Sequence, residues 1–185
     1  IKNVVDTVIK EEGVIDVLFN NAGFGLYGPV EDINLNDAKN QFDVNLFGLA
    51  EMTKEVLPYM RDNLNGLIIN TSSIGGKIAS PLGAWYHASK FALEGFSDCL
   101  RMELRPFNIK VVVLQPGLIQ TQFMDRTYNK AQEIKNSPYS NLLNKVMYNA
   151  KKDYLDNKTA SDPLVVAKKV LKIVNKKNPK TRYIV

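Results

Sequence analysis

The amino-acid sequence predicts an α/β domain, a doubly wound parallel sheet with helices on both faces, and three observations carry that prediction. Short, mainly apolar runs at 15–19, 66–71 and 109–114 alternate with long stretches of helical spacing, the pattern of strands buried on both sides. Each run stops at polar or glycine-bearing punctuation: Asn20-Asn21-Ala22-Gly23, Ser72-Ser73 and Pro116-Gly117. With 185 residues, 45% hydrophobic and 23% charged, the chain can bury the core of one domain, and it contains no repeats or low-complexity linkers.

The elements follow in order. Val4, Val5, Val8 and Ile9 lie at helical spacing within residues 1–12, and Gly13 is a fitting C-cap. After the first strand, Asn36 ahead of Asp37 predicts an N-cap, with a helix running to about residue 63. The second strand leads to a second long helix over 85–104, and Pro116-Gly117 stops the third strand. Residues 118–161 read as irregular. A helix follows on which Val166, Val170, Ile173 and Val174 form an apolar stripe while Lys168, Lys169, Lys172 and Lys176 face away, and 183–185 is a last strand. Parallel sheets bind ligands at the carboxyl ends of their strands, so the three punctuation points are expected on one edge, around one site.

Composition excludes several function classes. The net charge of +5 is concentrated after residue 150, where ten Lys or Arg stand against three Asp, so the rest of the chain is slightly acidic. No aromatic residues interleave with these lysines as a single-strand binder requires, so they read as a solvated face and not as a nucleic-acid site. No apolar run approaches the roughly 18 residues of a membrane span, and nothing resembles a signal peptide. Cys99, the only cysteine, falls in an apolar helical pattern and is expected to be inert packing; without disulfides or thiolate clusters the expected location is cytoplasmic. One histidine and no cysteine cluster leave too few ligands for a metal site.

Tyr86 and Lys90 are four apart near the start of the second long helix, so they share one face. A phenol, with an ordinary pKa of about 10, is a poor acid–base group near neutrality. An ammonium beside it favours the phenolate, and lowering the pKa by about three units takes roughly 4 kcal/mol. Such pairs also arise on solvated helix faces. Ser73, at a strand end, can hold a carbonyl or alkoxide oxygen beside the tyrosine, while Thr71, Ser72 and Ser73 read equally as turn residues before Gly75-Gly76. His87 adjoins Tyr86 in sequence but lies about 100° around the helix from it, and is assigned to packing or solvent contact.

Together, in order and in spacing, Asn20-Asn21-Ala22-Gly23, Asn45, Ser73, Tyr86-x-x-x-Lys90 and Pro116-Gly117-x-x-x-Thr121 resemble the short-chain dehydrogenase/reductase family over essentially the whole chain. The resemblance implies a Rossmann-like domain that transfers a hydride between NAD or NADP and a small-molecule carbonyl or alcohol. It implies Tyr86 as proton donor and acceptor, Ser73 as the group orienting the substrate oxygen, and Lys90 as the group that lowers the tyrosine's pKa and binds the nicotinamide ribose. It places Asn45 at a helix distortion, holding a water of the proton relay; read alone, Asn45 between Val44 and Leu46 fits a surface polar residue as well. Asn20, Ala22 and Gly23 are implied to line the adenosine end of the cofactor, and Pro116, Gly117, Ile119 and Thr121 its nicotinamide end.

The family's Gly-rich turn, where a helix N-terminus receives the pyrophosphate, has no counterpart in these residues. The single domain, residues 1–185, is therefore expected to be incomplete at its N-terminus, starting at the family's third helix. A truncated or degenerate relative serving as a non-catalytic binding module is the alternative.

Residues 118–161 are long for a connection and are expected to form a substrate lid. Its Phe123, Met124, Tyr128, Tyr139, Leu142, Leu143, Val146, Met147 and Tyr148, with Leu82 and Trp85, either rim a site for a lipophilic substrate or close the core. Phe91, Leu93, Phe96, Leu100 and Leu104 spread around the second long helix, and a helix apolar nearly all round should be buried on both sides. The resemblance adds a pairing of the two long helices across a dimer axis, so a homodimer or tetramer is expected.

Overall fold

A computed structural model describes residues 1–134, 136–155 and 159–185. The apolar runs pair as a single parallel sheet of β1 (Val17–Asn20), β2 (Gly66–Thr71), β3 (Ile109–Gln115) and β4 (Arg182–Ile184), in that order. Asn20 pairs with Asn70, and Thr71 with Leu114, so β1, β2 and β3 deliver their carboxyl ends to one edge.

Side chains alternate across a strand, so successive residues of β2 serve opposite faces. Ile68 packs with Val111 of β3, Val5 of α1 (Lys2–Glu12), Val56 and Met60 of α3 (Gly48–Asp62), and Leu100 and Leu104 of α4 (Ala84–Leu104). On the other face Leu67, Ile69, Val112 and Leu114 meet Ile173 of α7 (Leu164–Val174), with Val166 and Val170 beside it. Ile68 and Ile69 are both 0% exposed, which is why β2 reads as a continuous apolar run and not as an alternation. Gly13 ends α1 at φ 76°, where its N–H reaches the Ile9 carbonyl at 2.9 Å.

The structure corrects several expectations. The N-cap of α2 (Leu35–Phe42) is Asn34, whose Oδ1 accepts the Asn36 N–H at 2.8 Å; Asn36 is already inside the helix. The long helix to residue 62 is broken by a π turn, Asp43–Phe47, between α2 and α3. Residues 118–161 are not irregular: they contain α5 (Gln122–Gln132) and α6 (Ser140–Leu155), although residues 135 and 156–158 of this stretch lie outside the described residues. Cys99 is exposed, not packed. Val174 is 40% exposed, so the stripe of α7 is Val166, Val170 and Ile173. On α4 of the single chain, Leu93, Leu100 and Leu104 all turn inward while Phe91 is 47% exposed.

The apolar side chains of residues 118–161 divide. Leu143 and Met147 of α6 and Ala131 of α5 are buried, with Tyr128, Val146, Tyr27 and Leu82 packed on them. Tyr139, Leu142 and Tyr148 point outward. Among the described residues no helix is long and apolar enough to cross a membrane, and no His, Cys, Asp or Glu group is placed to hold a metal ion.

Candidate active site

The carboxyl edge of the sheet is tied together by buried amides. Asn20 Nδ2 donates to Asn70 Oδ1 at 2.9 Å and to Thr53 Oγ1 at 3.2 Å, and Asn70 Nδ2 donates to Ser97 Oγ at 3.0 Å. Both amide hydrogens of Asn20 are thus spent inside the protein, joining β1 to β2 and α3. Its implied contact with the adenosine is not made by that amide nitrogen, and its position is fixed by the cost of leaving a buried amide unpaired. Ala22 and Gly23 follow at the exposed start of the loop. A Cβ on Gly23 would stand 3.1 Å from Asn45 Oδ1 and 3.5 Å from Lys90 Nζ, so glycine lets the main chain run close over both.

Asn45 lies in the π turn and is 1% exposed, which removes the surface alternative. Its Oδ1 accepts the Phe24 N–H at 3.0 Å, and its Nδ2 donates to the Phe24 carbonyl at 3.0 Å and to Ser89 Oγ at 3.1 Å. The carboxamide binds the loop after β1 as a strand would, and clamps it to α4. The helix distortion implied for Asn45 is present, but both its side-chain N–H groups are engaged by protein, so neither is free for a relay water.

Tyr86 opens α4 and is 7% exposed. Burial pushes its phenol above the ordinary value, and a hydrogen bond from Ser73 pulls the other way by favouring the phenolate. Ser73 Oγ also accepts the Gly75 N–H at 3.0 Å. Lys90, 4% exposed, donates from Nζ to the Thr71 carbonyl at 2.9 Å, and burial brings its ammonium down to about 8. The group that opposes burial at Tyr86 is Ser73.

The segment after β3 passes over the same edge. The Pro116 carbonyl accepts the Ile74 N–H at 3.0 Å, Gly117 N–H donates to Val185 O at 2.8 Å, and Ile119 bridges Ser161. Thr121 is the exposed N-cap of α5, its Oγ1 accepting the Phe123 N–H at 3.3 Å. Pro116, Gly117 and Ile119 are held through main-chain bonds, and Thr121 starts α5 with its side chain. The Phe123 ring then lies 5.7 Å from the Tyr86 ring, and Tyr27 lies 5.5 Å from it.

Two groups escaped the sequence reasoning. Tyr27 carries no spacing signal, because it reaches Tyr86 only through the fold. Glu94, one turn beyond Lys90 on α4, is 3% exposed and accepts from Arg182 Nε at 2.8 Å and from Gln115 Nε2 at 2.9 Å, with Lys77 Nζ 3.1 Å away. The i, i+4 relation to Lys90 was the available signal.

A family model described as short chain dehydrogenase matches residues 1–132. The chain belongs to the short-chain dehydrogenase/reductase family. Membership brings a Rossmann-like doubly wound fold, an NAD(P) cofactor and oxidoreductase chemistry on a small-molecule substrate. Two uncharacterized oxidoreductases of Schizosaccharomyces pombe are each 36% identical to this short-chain dehydrogenase over 188 residues, covering 99% of it and 75% of themselves. A 3-ketodihydrosphingosine reductase of Bacteroides thetaiotaomicron is 38% identical over 182 residues, covering 98% of this chain and 66% of its own. Among solved structures, an NAD+-bound xylitol dehydrogenase superposes with a TM-score of 0.82 at 25% identity, covering 100% of this chain and 72% of that one. A short-chain dehydrogenase of Streptomyces avermitilis gives 0.81 at 25% identity, with 100% and 65% covered. The chain therefore spans between 65% and 75% of the length of these relatives.

The residues of this short-chain dehydrogenase fit such a cofactor. Lys90 Nζ has three N–H groups, and the Thr71 carbonyl takes one of them, so others remain for ribose hydroxyls beside Gly23.

Proposed function

We propose that the protein reduces a lipophilic ketone to its alcohol, and runs the reverse oxidation, with Tyr86 as the proton-transfer group. The observation that carries this reading is the burial of Ser73, Tyr86 and Lys90 beside the carboxyl edge of the sheet, with the Tyr27 and Phe123 rings 5.5 and 5.7 Å from the Tyr86 ring. Bound NAD(P)H supplies the hydride to the carbonyl carbon. Ser73 donates a hydrogen bond to the substrate oxygen and holds it against Tyr86. As the C=O electron pair moves onto that oxygen, the Tyr86 O–H bond breaks and its proton goes there, leaving a phenolate; in oxidation the phenolate takes the proton back. Lys90 binds the ribose hydroxyls, and Asn45 holds the loop after β1 in place through Phe24 and Ser89. The non-catalytic alternative has no observation in its favour, since Ser73, Tyr86 and Lys90 meet in one buried site.

The aromatic walls, and the apolar cluster of α5 and α6 behind Tyr27, support an apolar substrate. So does the relative named for reduction of 3-ketodihydrosphingosine, itself a lipophilic ketone. The test is a methyl-ketone series, 2-pentanone to 2-octanone, with the full-length enzyme. Each added methylene should raise kcat/KM about three- to fourfold, in line with about 0.8 kcal/mol per buried CH2. A flat series, or faster turnover of a small sugar, would contradict it. Outward Phe47 (58% exposed) of the π turn and Phe91 (47%) and Met102 (70%) of α4 support a homodimer or tetramer built on these elements.

A further inference from the structure

We propose that His87 is a positioning residue for Ser73, acting through the main chain of Gly75; the inference rests on the proton transfer proposed for Tyr86. The loop from Ser73 to Gly83 joins β2 to α4, and its shape decides where Ser73 Oγ sits. His87, the only histidine of these 185 residues, lies on the first turn of α4 with its side chain inside that loop and 7% exposed. Its Nδ1 is 2.8 Å from the Gly75 carbonyl, and its Nε2 is 3.1 Å from Ser80 N and 2.9 Å from Ser80 Oγ. A carbonyl only accepts and a main-chain N–H only donates, so these partners fix the proton on Nδ1 and leave Nε2 bare. One ring thereby ties both ends of the loop to α4.

Gly75 links that ring to the chemistry. Its carbonyl takes the His87 Nδ1–H while its own N–H donates to Ser73 Oγ at 3.0 Å. The packing leaves no slack. A Cβ on Gly75 would stand 3.1 Å from both His87 Nδ1 and Tyr86 Cε1, and a Cβ on Gly83 would stand 2.6 Å from His87 Cδ2. Leu82 is held at φ 67°, a conformation leucine rarely adopts, and its carbonyl accepts the Gly28 N–H at 2.8 Å. The Tyr27 ring lies edge-on 6.2 Å from the His87 ring, so the same brace packs against one wall of the site. With both nitrogens engaged by the loop, His87 has none to offer a substrate.

The two nitrogens can be replaced separately. His87→Asn keeps an N–H donor where Nδ1 stood, and His87→Gln keeps a carbonyl acceptor where Nε2 stood. The full-length enzyme, with its nicotinamide, is assayed on 2-octanone. His87→Asn should hold kcat within about threefold, whereas His87→Gln should lower it about ten- to a hundredfold at unchanged cofactor Kd, the effect of a misplaced reacting group. Added to Ser73→Ala, His87→Gln should cost less than about threefold, because the group it positions is already gone. Independently of turnover, the 15N spectrum of the ring, assigned by its loss in His87→Asn, should show the neutral imidazole with Nδ1 protonated and Nε2 bare. Equal losses in the Asn and Gln variants, full additivity with Ser73→Ala, or a proton on Nε2 would overturn the inference. Unimpaired turnover by Tyr86→Phe would instead overturn the proton-transfer reading and leave the spectrum standing.

Discussion

Burial works against the chemistry of Tyr86, and Ser73 is the group that offsets it. Removing the hydroxyl in Ser73→Ala takes away the hydrogen bond that favours the phenolate, so the phenol rises further above its ordinary value. The phenolate needed for alcohol oxidation then forms only at higher pH. The basic limb of the kcat/KM profile for oxidation should move upward, with turnover at pH 7 lower by about a hundredfold; an unmoved limb would speak against Ser73. Lys90 shows the converse trade. Its folded value of about 8 lies below its ordinary 10.5, so between these pH values the unfolded chain holds more protons and stability rises with pH; below pH 8 the full cost of the buried charge is present. Lys90→Met should therefore be more stable than wild type at pH 7, by about 1–2 kcal/mol after loss of the Thr71 bond. That advantage should shrink on going from pH 8 toward 10.5, while cofactor affinity falls; calorimetry at pH 7 and 9.5 reads it. Tyr86, Lys90 and Ser73 were legible because a helix turn and a strand end have fixed spacing. The coupling of Gly75, His87 and Tyr27 was not, since it forms only when a loop folds back on α4.

At the scale of elements, β2 could be read residue for residue because both its faces are buried. The π turn could not: one shifted hydrogen-bond register leaves no mark on apolar spacing, and only Asn45 hinted at it. Helix α5 escaped because just Thr127 and Ala131 are buried on it, too few to set a period. β4 is held to α4 by charge. Burial alone would raise the Glu94 carboxyl, but the hydrogen bonds from Arg182 and Gln115, with the Lys77 ammonium, outweigh it and hold the group below the usual range. A depressed carboxylate adds stability above its ordinary value, and that stability is lost as pH falls through the folded one. Glu94→Gln should cost about 2 kcal/mol at pH 7, less than the about 3–5 of a fully buried pair, because the Arg182 and Lys77 side chains are 28% and 51% exposed. In denaturant titrations the difference from wild type should fade below pH 4.5, the ordinary value of the group; a constant difference would show that Glu94 acts by packing alone.

Across the whole molecule, two helical layers on one parallel sheet bring β1, β2 and β3 to a shared edge, and the residues of the family's motifs meet there. Alternating buried strands and helices announced that architecture; the facing of α4 did not follow from composition, since its leucines gather on one side. The outward Phe91 and Met102 that result lead to a prediction for assembly. The full-length protein should sediment as a dimer or tetramer, and Phe91→Glu with Met102→Glu should shift it toward monomer; a monomeric wild type at tens of micromolar would count against the proposed interface. The central claim is that Tyr86 moves the proton while other groups hold cofactor and substrate. It is tested most directly by single-turnover reduction of 2-octanone by full-length Tyr86→Phe, with the Kd for NAD(P)H measured in parallel. The account predicts a rate lower by about 10²–10⁴-fold, the usual loss for a positioned acid–base group, at a Kd within about twofold of wild type. A variant that keeps most of the single-turnover rate would contradict it.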